Sequence, residues 1–411
     1  MKKILSFVLV LMLGISCLSL AAAEEPTTIT LWHRWGGANE KTLSQCVEAF
    51  MADNPDIKVD IIAKPGVYFD LLQSMIADAA AGNEKPDVFV GSYNLLNYIA
   101  EELLPTTVDE LAPSKEAAAE LYSRFTPEML ALANYDGAQI GLPLAVSNMV
   151  MYCNMDIFEA AGLTKDDIPA TYEQAMKTAQ IIKEKTGKYA FFMQLGDNWG
   201  DQGLIFSAGG ELLSADKTHV DFTNEGIIHA IQTWQDMYNK GYTPVCTHNE
   251  GVAMFNSGDV AMLQTTIMSI RTFRDYVPNM EVAQCLGFEG KAKQLPAGGA
   301  AMISFSEKAE KKAAAYRFFD FMTSQKGMEM FTTTGYLCVT KDKVPVNPGQ
   351  EAAYAQTQYA RPWECWPGGS AGLEIESRWL SVRSSIIMEN KDVAATLQAL
   401  EDECNALLDN Q

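Results

Sequence analysis

The chain has 411 residues, 48% of them hydrophobic, and a formal net charge of −21. That length exceeds one ordinary domain and suits two large ones, with enough apolar content for a substantial core. So acidic a surface repels nucleic acid and anionic membranes, which excludes both as partners.

The first 23 residues read as an export signal. Lys2 and Lys3 form a charged start, Ile4 to Ile15 an apolar run too short to span a bilayer, and Ala21-Ala22-Ala23 a small-residue cleavage site. Cys17 offers an alternative, acylation as a lipoprotein. Gly14 stands where a lipobox usually has Leu or Val, so export to the periplasm or the outer face of the cell membrane by Ala-x-Ala cleavage is preferred. Without Cys17 seven cysteines remain, at 46, 153, 246, 285, 338, 365 and 404. The number is odd, and no C-x-x-C occurs. Several lie among apolar neighbours, as Cys153 does in MVMYCN, so buried free thiols are expected. A Cys365–Cys404 bridge is the alternative.

The mature chain opens with a regular alternation. ITLW (29–32) is strand-like, and Leu43, Val47, Phe50 and Met51 share one helical face. After Asn54-Pro55 comes a second strand, IKVDIIA (57–63). A helix from Tyr68 to Ala81 follows, then a third strand, DVFVG (87–91). The β-α-β-α-β order predicts a doubly wound parallel sheet, whose ligands bind at the carboxyl ends of the strands. LWHRWGG (31–37) lies at such an end. Further on, NMVMYCN (148–154), AFFM (190–193), VAMLQ (260–264) and AMISF (301–305) read as strands. Segments 171–186, 224–240, 306–325 and the tail 373–408 read as helical. No linker of biased composition separates two halves.

Catalytic signatures are missing. The chain has no phosphate-binding loop, no G-x-G-x-x-G and no H-E-x-x-H, and its four histidines lack metal-ligand spacing. GGSAG (368–372) matches a nucleophile elbow in letters alone. Pro367 precedes it, and no histidine follows His248. No cofactor or metal is expected.

Four segments carry a family resemblance. IGLPLAVSNMVMYCNMDIFEAAGL (140–163), AMFNSGDVAML (253–263), LPAGGAAMISFSEKAEKKAAAYRFFDFMTS (295–324) and TTGYLCVTKDKV (333–344) occur in order. Together with PDVFVG (86–91) they resemble the sugar-binding group of solute-binding proteins of ABC importers, which includes maltose-binding protein. Cys338 departs from the pattern, where proline is usual. The resemblance implies an α/β fold of two lobes, each a doubly wound, mostly parallel sheet flanked by helices. It also implies three crossings, near 144–147, 298–300 and 337–341. The lobes are then 24–146 with 298–340, and 147–297 with 341–411. The solute sits between them, and hinge closure buries it for delivery to a membrane permease.

On that frame Trp32, Arg34, Trp35 and Gly36 face the cleft, where indole faces stack on sugar C–H faces and Arg34 binds hydroxyls. The same placement selects Tyr68 at a helix start, Ser92 and Tyr93 after the third strand, and Asn148 past the first crossing. Asp197, Asn198 and Trp199 open a helix in the second lobe as a facing wall, and Gly298 and Gly299 lie at the second crossing. The loop RPWECWPGG contributes Arg361, Trp363 and Trp366. Trp234, at helical spacing in IIHAIQTWQDMY, is expected in the core. The function expected is capture of a mono- or oligosaccharide by a monomeric binding protein, not an enzyme. Glycerol 3-phosphate or another anionic solute is the alternative, through Arg34, Arg361 and a helix N-terminus. From other classes, an exported carbohydrate-active enzyme or a sugar-sensing receptor partner fits the same features.

Overall fold

The computed structural model describes residues 25–64 and 66–410, so the export signal and Cys17 lie outside the described residues. Two sheets form the frame. Strands β1 (Thr27–His33), β2 (Ile57–Ala63), β3 (Val88–Ser92), β4 (Gly141–Ser147) and β9 (Gly298–Ser304) build the first, in the order β2-β1-β3-β9-β4. Strands β5 (Met149–Asn154), β6 (Tyr189–Met193), β7 (Val260–Thr266) and β8 (Met280–Gln284) build the second, in the order β8-β5-β7-β6.

Both sheets are mostly parallel in strand direction, as expected, with one strand reversed in each. In the first, β9 runs antiparallel to both β3 and β4. In the second, β5 runs antiparallel to β7 and β8, and the neighbours β6 and β7 are parallel. The reason is topological. β5 and β9 are the strands by which the chain enters a lobe from the cleft, so they point away from it. Every other strand points its carboxyl end toward the cleft, where ligands gather in α/β sheets.

The connection from β4 to β5 is the single residue Asn148. Gly299 makes the return possible. Its φ is +118°, and a Cβ there would stand 1.9 Å from the carbonyl oxygen of Ala145. The third crossing lies later than expected. Leu337 pairs with Val146 at the hinge (2.8 Å), but Lys341 is still held to the first lobe by the backbone of Arg124 (2.8 Å). The chain then reaches the second lobe at the helix Glu351–Ala355, whose Ala353 carbonyl accepts from Asn148.

Helix α1 (Gly37–Asp53) buries Leu43, Cys46, Val47 and Phe50, and ends where the Asn54 side chain donates to the Phe50 carbonyl (2.8 Å). Helix α2 (Tyr68–Ala80) buries Leu71, Leu72 and Met75. In the second lobe α3 (Trp199–Ser207) is buried along its whole length. The tail is two helices, not one: α4 (Ser370–Glu389) and α5 (Val393–Leu408) break at Asn390, whose φ is +57°. Trp234 is 1% exposed, in the core of the second lobe. The seven described cysteines are free thiols, Cys365 and Cys404 included. Among the described residues no helix is long and apolar enough to cross a membrane.

Candidate functional site

The turn after β1 builds the first wall of the cleft. His33 is fully buried, and its Nδ1 accepts the backbone N–H of Trp35 (3.1 Å). Burial lowers the histidine pKa, so the ring is neutral. The turn directs the Trp35 indole against the stacked pair Phe331 and Tyr336, at centroid distances of 5.6 and 5.8 Å, and its N–H donates to the Tyr336 hydroxyl (3.2 Å). Arg34 donates to the Gly66 carbonyl (2.7 Å) and holds its guanidinium 4.8 Å over the Tyr68 ring. Ser92, at the end of β3, donates to Asn94 (2.7 Å).

The second wall is a hydrogen-bonded cluster from three remote segments. Past β6, Asp197 accepts from Gln194 (2.9 Å) and from the backbone N–H of Trp199 (3.1 Å), at the start of α3. Asn198 bridges two segments: its oxygen accepts the indole N–H of Trp363 (2.7 Å), and its NH2 donates to Glu376 on α4 (2.6 Å). The Trp366 indole donates to the same Glu376 oxygen (2.5 Å). Trp199 donates to the Pro296 carbonyl (2.7 Å) and lies 5.9 Å from Trp363, with the rings 31° apart. Its ring fits because position 298 is glycine; a Cβ there would meet the indole at 2.6 Å.

Behind these residues Arg383 donates to Asp201 (2.6 Å), which also accepts the Trp379 indole (2.7 Å). Asp197, Asp201 and Glu376 therefore surround one guanidinium. Burial raises the pKa of all three carboxyls. Glu376 is raised from 4.5 to about 7, through burial and the charges of Asp197 and Asp201, against the stabilising Trp366 N–H.

The walls enclose a cavity of about 800 Å³, a size suited to a small solute. The loop from Trp363 to Gly369 spans the lobes. The Cys365 thiol donates to the Tyr93 carbonyl (3.1 Å), and Asn97 to the Trp366 carbonyl (3.5 Å).

Of the residues expected at the cleft, the structure brings together Arg34, Trp35, Gly36, Tyr68, Ser92, Asn198, Trp199, Gly298, Gly299, Trp363 and Trp366. Four are elsewhere. Trp32 points to the other face of β1, because strand side chains alternate, and lies under the Lys64 ammonium at 4.3 Å. Tyr93 is 1% exposed and sits behind the wall. Asn148 spends its NH2 on the Ala353 carbonyl (2.7 Å) at the hinge. Arg361 turns outward to Glu211 (2.9 Å) and Gln294 (2.9 Å), and stacks on Phe206. Sequence reasoning missed Glu376 and Tyr336, while Asp197 lines the cavity beside Asn198. For Glu376 a signal existed: Leu373, Glu376 and Leu380 share one face of α4, so a carboxylate interrupts an apolar stripe.

The family model for bacterial extracellular solute-binding proteins matches residues 36–329. The sn-glycerol-3-phosphate-binding periplasmic protein UgpB of Escherichia coli K12 is 25% identical over 359 residues, 81% of each chain. Among solved structures, the cyclic α-maltosyl-1,6-maltose binding protein of Arthrobacter globiformis superposes with a TM-score of 0.81 at 22% identity, covering 94% of this chain and all of that one. UgpB of Mycobacterium tuberculosis, solved with glycerophosphocholine, superposes with a TM-score of 0.79 at 21% identity, covering 95% of this chain and 100% of that one. At these identities the superpositions speak to fold.

Proposed function

Because the chain belongs to the bacterial extracellular solute-binding protein family, we propose that it captures a mono- or oligosaccharide between its two lobes for delivery to an ABC transporter permease. One observation carries the choice of sugar. The indole nitrogens of Trp35, Trp199, Trp363 and Trp366 are all committed to protein acceptors. What these side chains offer a solute is ring carbon, which suits the C–H faces of a sugar, while Arg34, Ser92 and Glu376 suit its hydroxyls. Export to the outer side of the cytoplasmic membrane and action as a monomer belong to the same reading.

The Escherichia coli relative favours a second reading, glycerol 3-phosphate. The charge of the cleft weighs against it. Among the described lining residues Arg34 is the one cation, facing Asp197, Glu364 and Glu376, and Arg361 is turned away to Glu211. A phosphate would meet more negative charge than positive.

A panel of sugars and sugar phosphates tests both readings by thermal shift. At a hundredfold excess over its dissociation constant, the right solute stabilises the protein by about 2.7 kcal/mol. A shift with a sugar and no product on prolonged incubation is the expected result. No shift with any sugar overturns the sugar reading, a shift with glycerol 3-phosphate alone installs the second, and release of a hydrolysis product makes the protein an enzyme.

A further inference from the structure

We propose that the solute held in this cleft carries a positively charged amino group, which docks against the free oxygen of Glu376 beside the ring faces of Trp199, Trp363 and Trp366. The inference rests on the reading of the cleft as the solute site and deepens it.

Three observations lead there. The first is the geometry of Glu376. Both the Trp366 indole and the Asn198 amide reach its Oε2, and among the described residues no donor reaches Oε1, although the residue lines the cavity. One carboxylate oxygen is fixed by the protein, and the other is left to the solute.

The second is the charge around it. The ionisable groups facing Glu376 are Asp197 and Asp201 from the α3 segment and Arg383 from its own helix. Three carboxyls share that one guanidinium, which is spent on Asp201 and on the Leu195 carbonyl. Glu364, the next acid on the wall, is matched by Lys217 (3.0 Å) and Arg361 (3.4 Å). The surplus negative charge therefore sits at Glu376 and Asp197. Burial first, and then the charges of Asp197 and Asp201, hold the Glu376 carboxyl near pH 7 in its titration. A neutral hydroxyl can donate to Oε1 but leaves the surplus in place, whereas an ammonium removes it.

The third is the aromatic surface. Rings whose N–H edges are already used have only ring carbon to offer the cavity they line, and aromatic rings attract desolvated cations as well as sugar C–H groups. The first wall has the opposite character, with Arg34 over Tyr68. The cleft is polarised, with its cation on one lobe and its carboxylates on the other.

Two solute sources share this chemistry: an amino sugar with a free amine, and a phosphodiester bearing a choline or ethanolamine group. Calorimetric titration of the full mature protein separates them. The probes are the β-1,4-linked glucosamine disaccharide, its di-N-acetylated counterpart, maltose, glycerophosphocholine and glycerol 3-phosphate. An amine-bearing member of an amine/neutral pair should bind about tenfold tighter or better. Glu376→Gln, which keeps the hydrogen-bonding shape, should abolish that preference, so that the charged solute and its neutral counterpart then bind within about threefold of each other. Preference for the glucosamine disaccharide assigns an amino sugar; preference for glycerophosphocholine over glycerol 3-phosphate assigns a choline ester. If the choline ester binds and no saccharide does, the sugar reading falls and the ammonium inference stands. If maltose or the acetylated disaccharide binds as well as the amine, the sugar reading stands and the inference falls. The inference also falls if neither the glucosamine disaccharide nor glycerophosphocholine binds, or if the preference survives in Glu376→Gln. The wild-type comparison alone decides the matter should the variant fold poorly.

Discussion

The first-lobe wall of the cleft hangs from a single strand end. His33 orders the turn, Trp35 is pinned to Phe331 and Tyr336, and one guanidinium lies over Tyr68. The second-lobe wall has no such single support. Asn198 stands 165 residues from Trp363 and 178 from Glu376 in the chain, and hydrogen bonds join these residues and Trp366, with Arg383 and two more carboxyls behind. The first wall is thus an extension of an apolar core, and the second a buried polar network. Such networks are stable when every member is satisfied and costly when one is removed. The two walls should therefore fail in different ways.

Arg383→Leu should have the largest effect. It leaves Asp197, Asp201 and Glu376 buried without a cation, which costs about 3–5 kcal/mol. Urea unfolding checks this. A loss below about 1 kcal/mol would mean that the network is less tightly coupled than its geometry says.

Trp35→Ala comes next. Trp35 is only 4% exposed, so truncation removes core contacts as well as a cleft wall. A cost near the low end of the range for large aromatics, about 3 kcal/mol, is expected. A variant as stable as the wild type would make Trp35 a cleft residue and nothing more.

The walls also differ in titration. Glu376 has a folded-state pKa near 7, above its ordinary 4.5. The folded protein therefore binds the extra proton, and this group adds stability as pH falls from about 7 toward 4.5 and withdraws it as pH rises. The contribution is at most roughly 3 kcal/mol. Comparing wild type with Glu376→Gln across that range isolates it: the wild type should gain on the variant toward acid, and parallel profiles would refute the assignment.

Arg361→Gln should have the smallest effect. Its partner Glu211 is exposed, and the guanidinium faces away from the cavity. A stability loss of about 1 kcal/mol or less and an unchanged solute affinity are expected. Weakened binding would return Arg361 to the site.

The same contrast explains what was legible in the sequence. The first wall could be read because it follows from local order: a strand, a turn with aromatics, then a helix. Even there the period of two was needed to separate Trp35 from Trp32. The second wall was half visible. Its tryptophans stood out in a Pro/Gly-rich loop, and Asn198-Trp199 at a helix start. Glu376 did not stand out among 52 acidic residues, its one sign being a carboxylate within an apolar helix stripe. Only the fold reveals which carboxylates are buried together. Arg361 misled for the same reason, since its partners Glu211 and Gln294 are remote in sequence. The antiparallel strands β5 and β9 were missed because direction depends on which lobe the chain comes from, a fact no local pattern carries.

Solute affinity in two single variants, Trp35→Ala on the first wall and Trp363→Ala on the second, tests most directly whether both lobes hold one solute. Calorimetric titration with the tightest sugar of the panel, on the folded fraction of each, should show binding weakened by about tenfold or more in both. Undiminished affinity in either variant would contradict a solute gripped from both lobes.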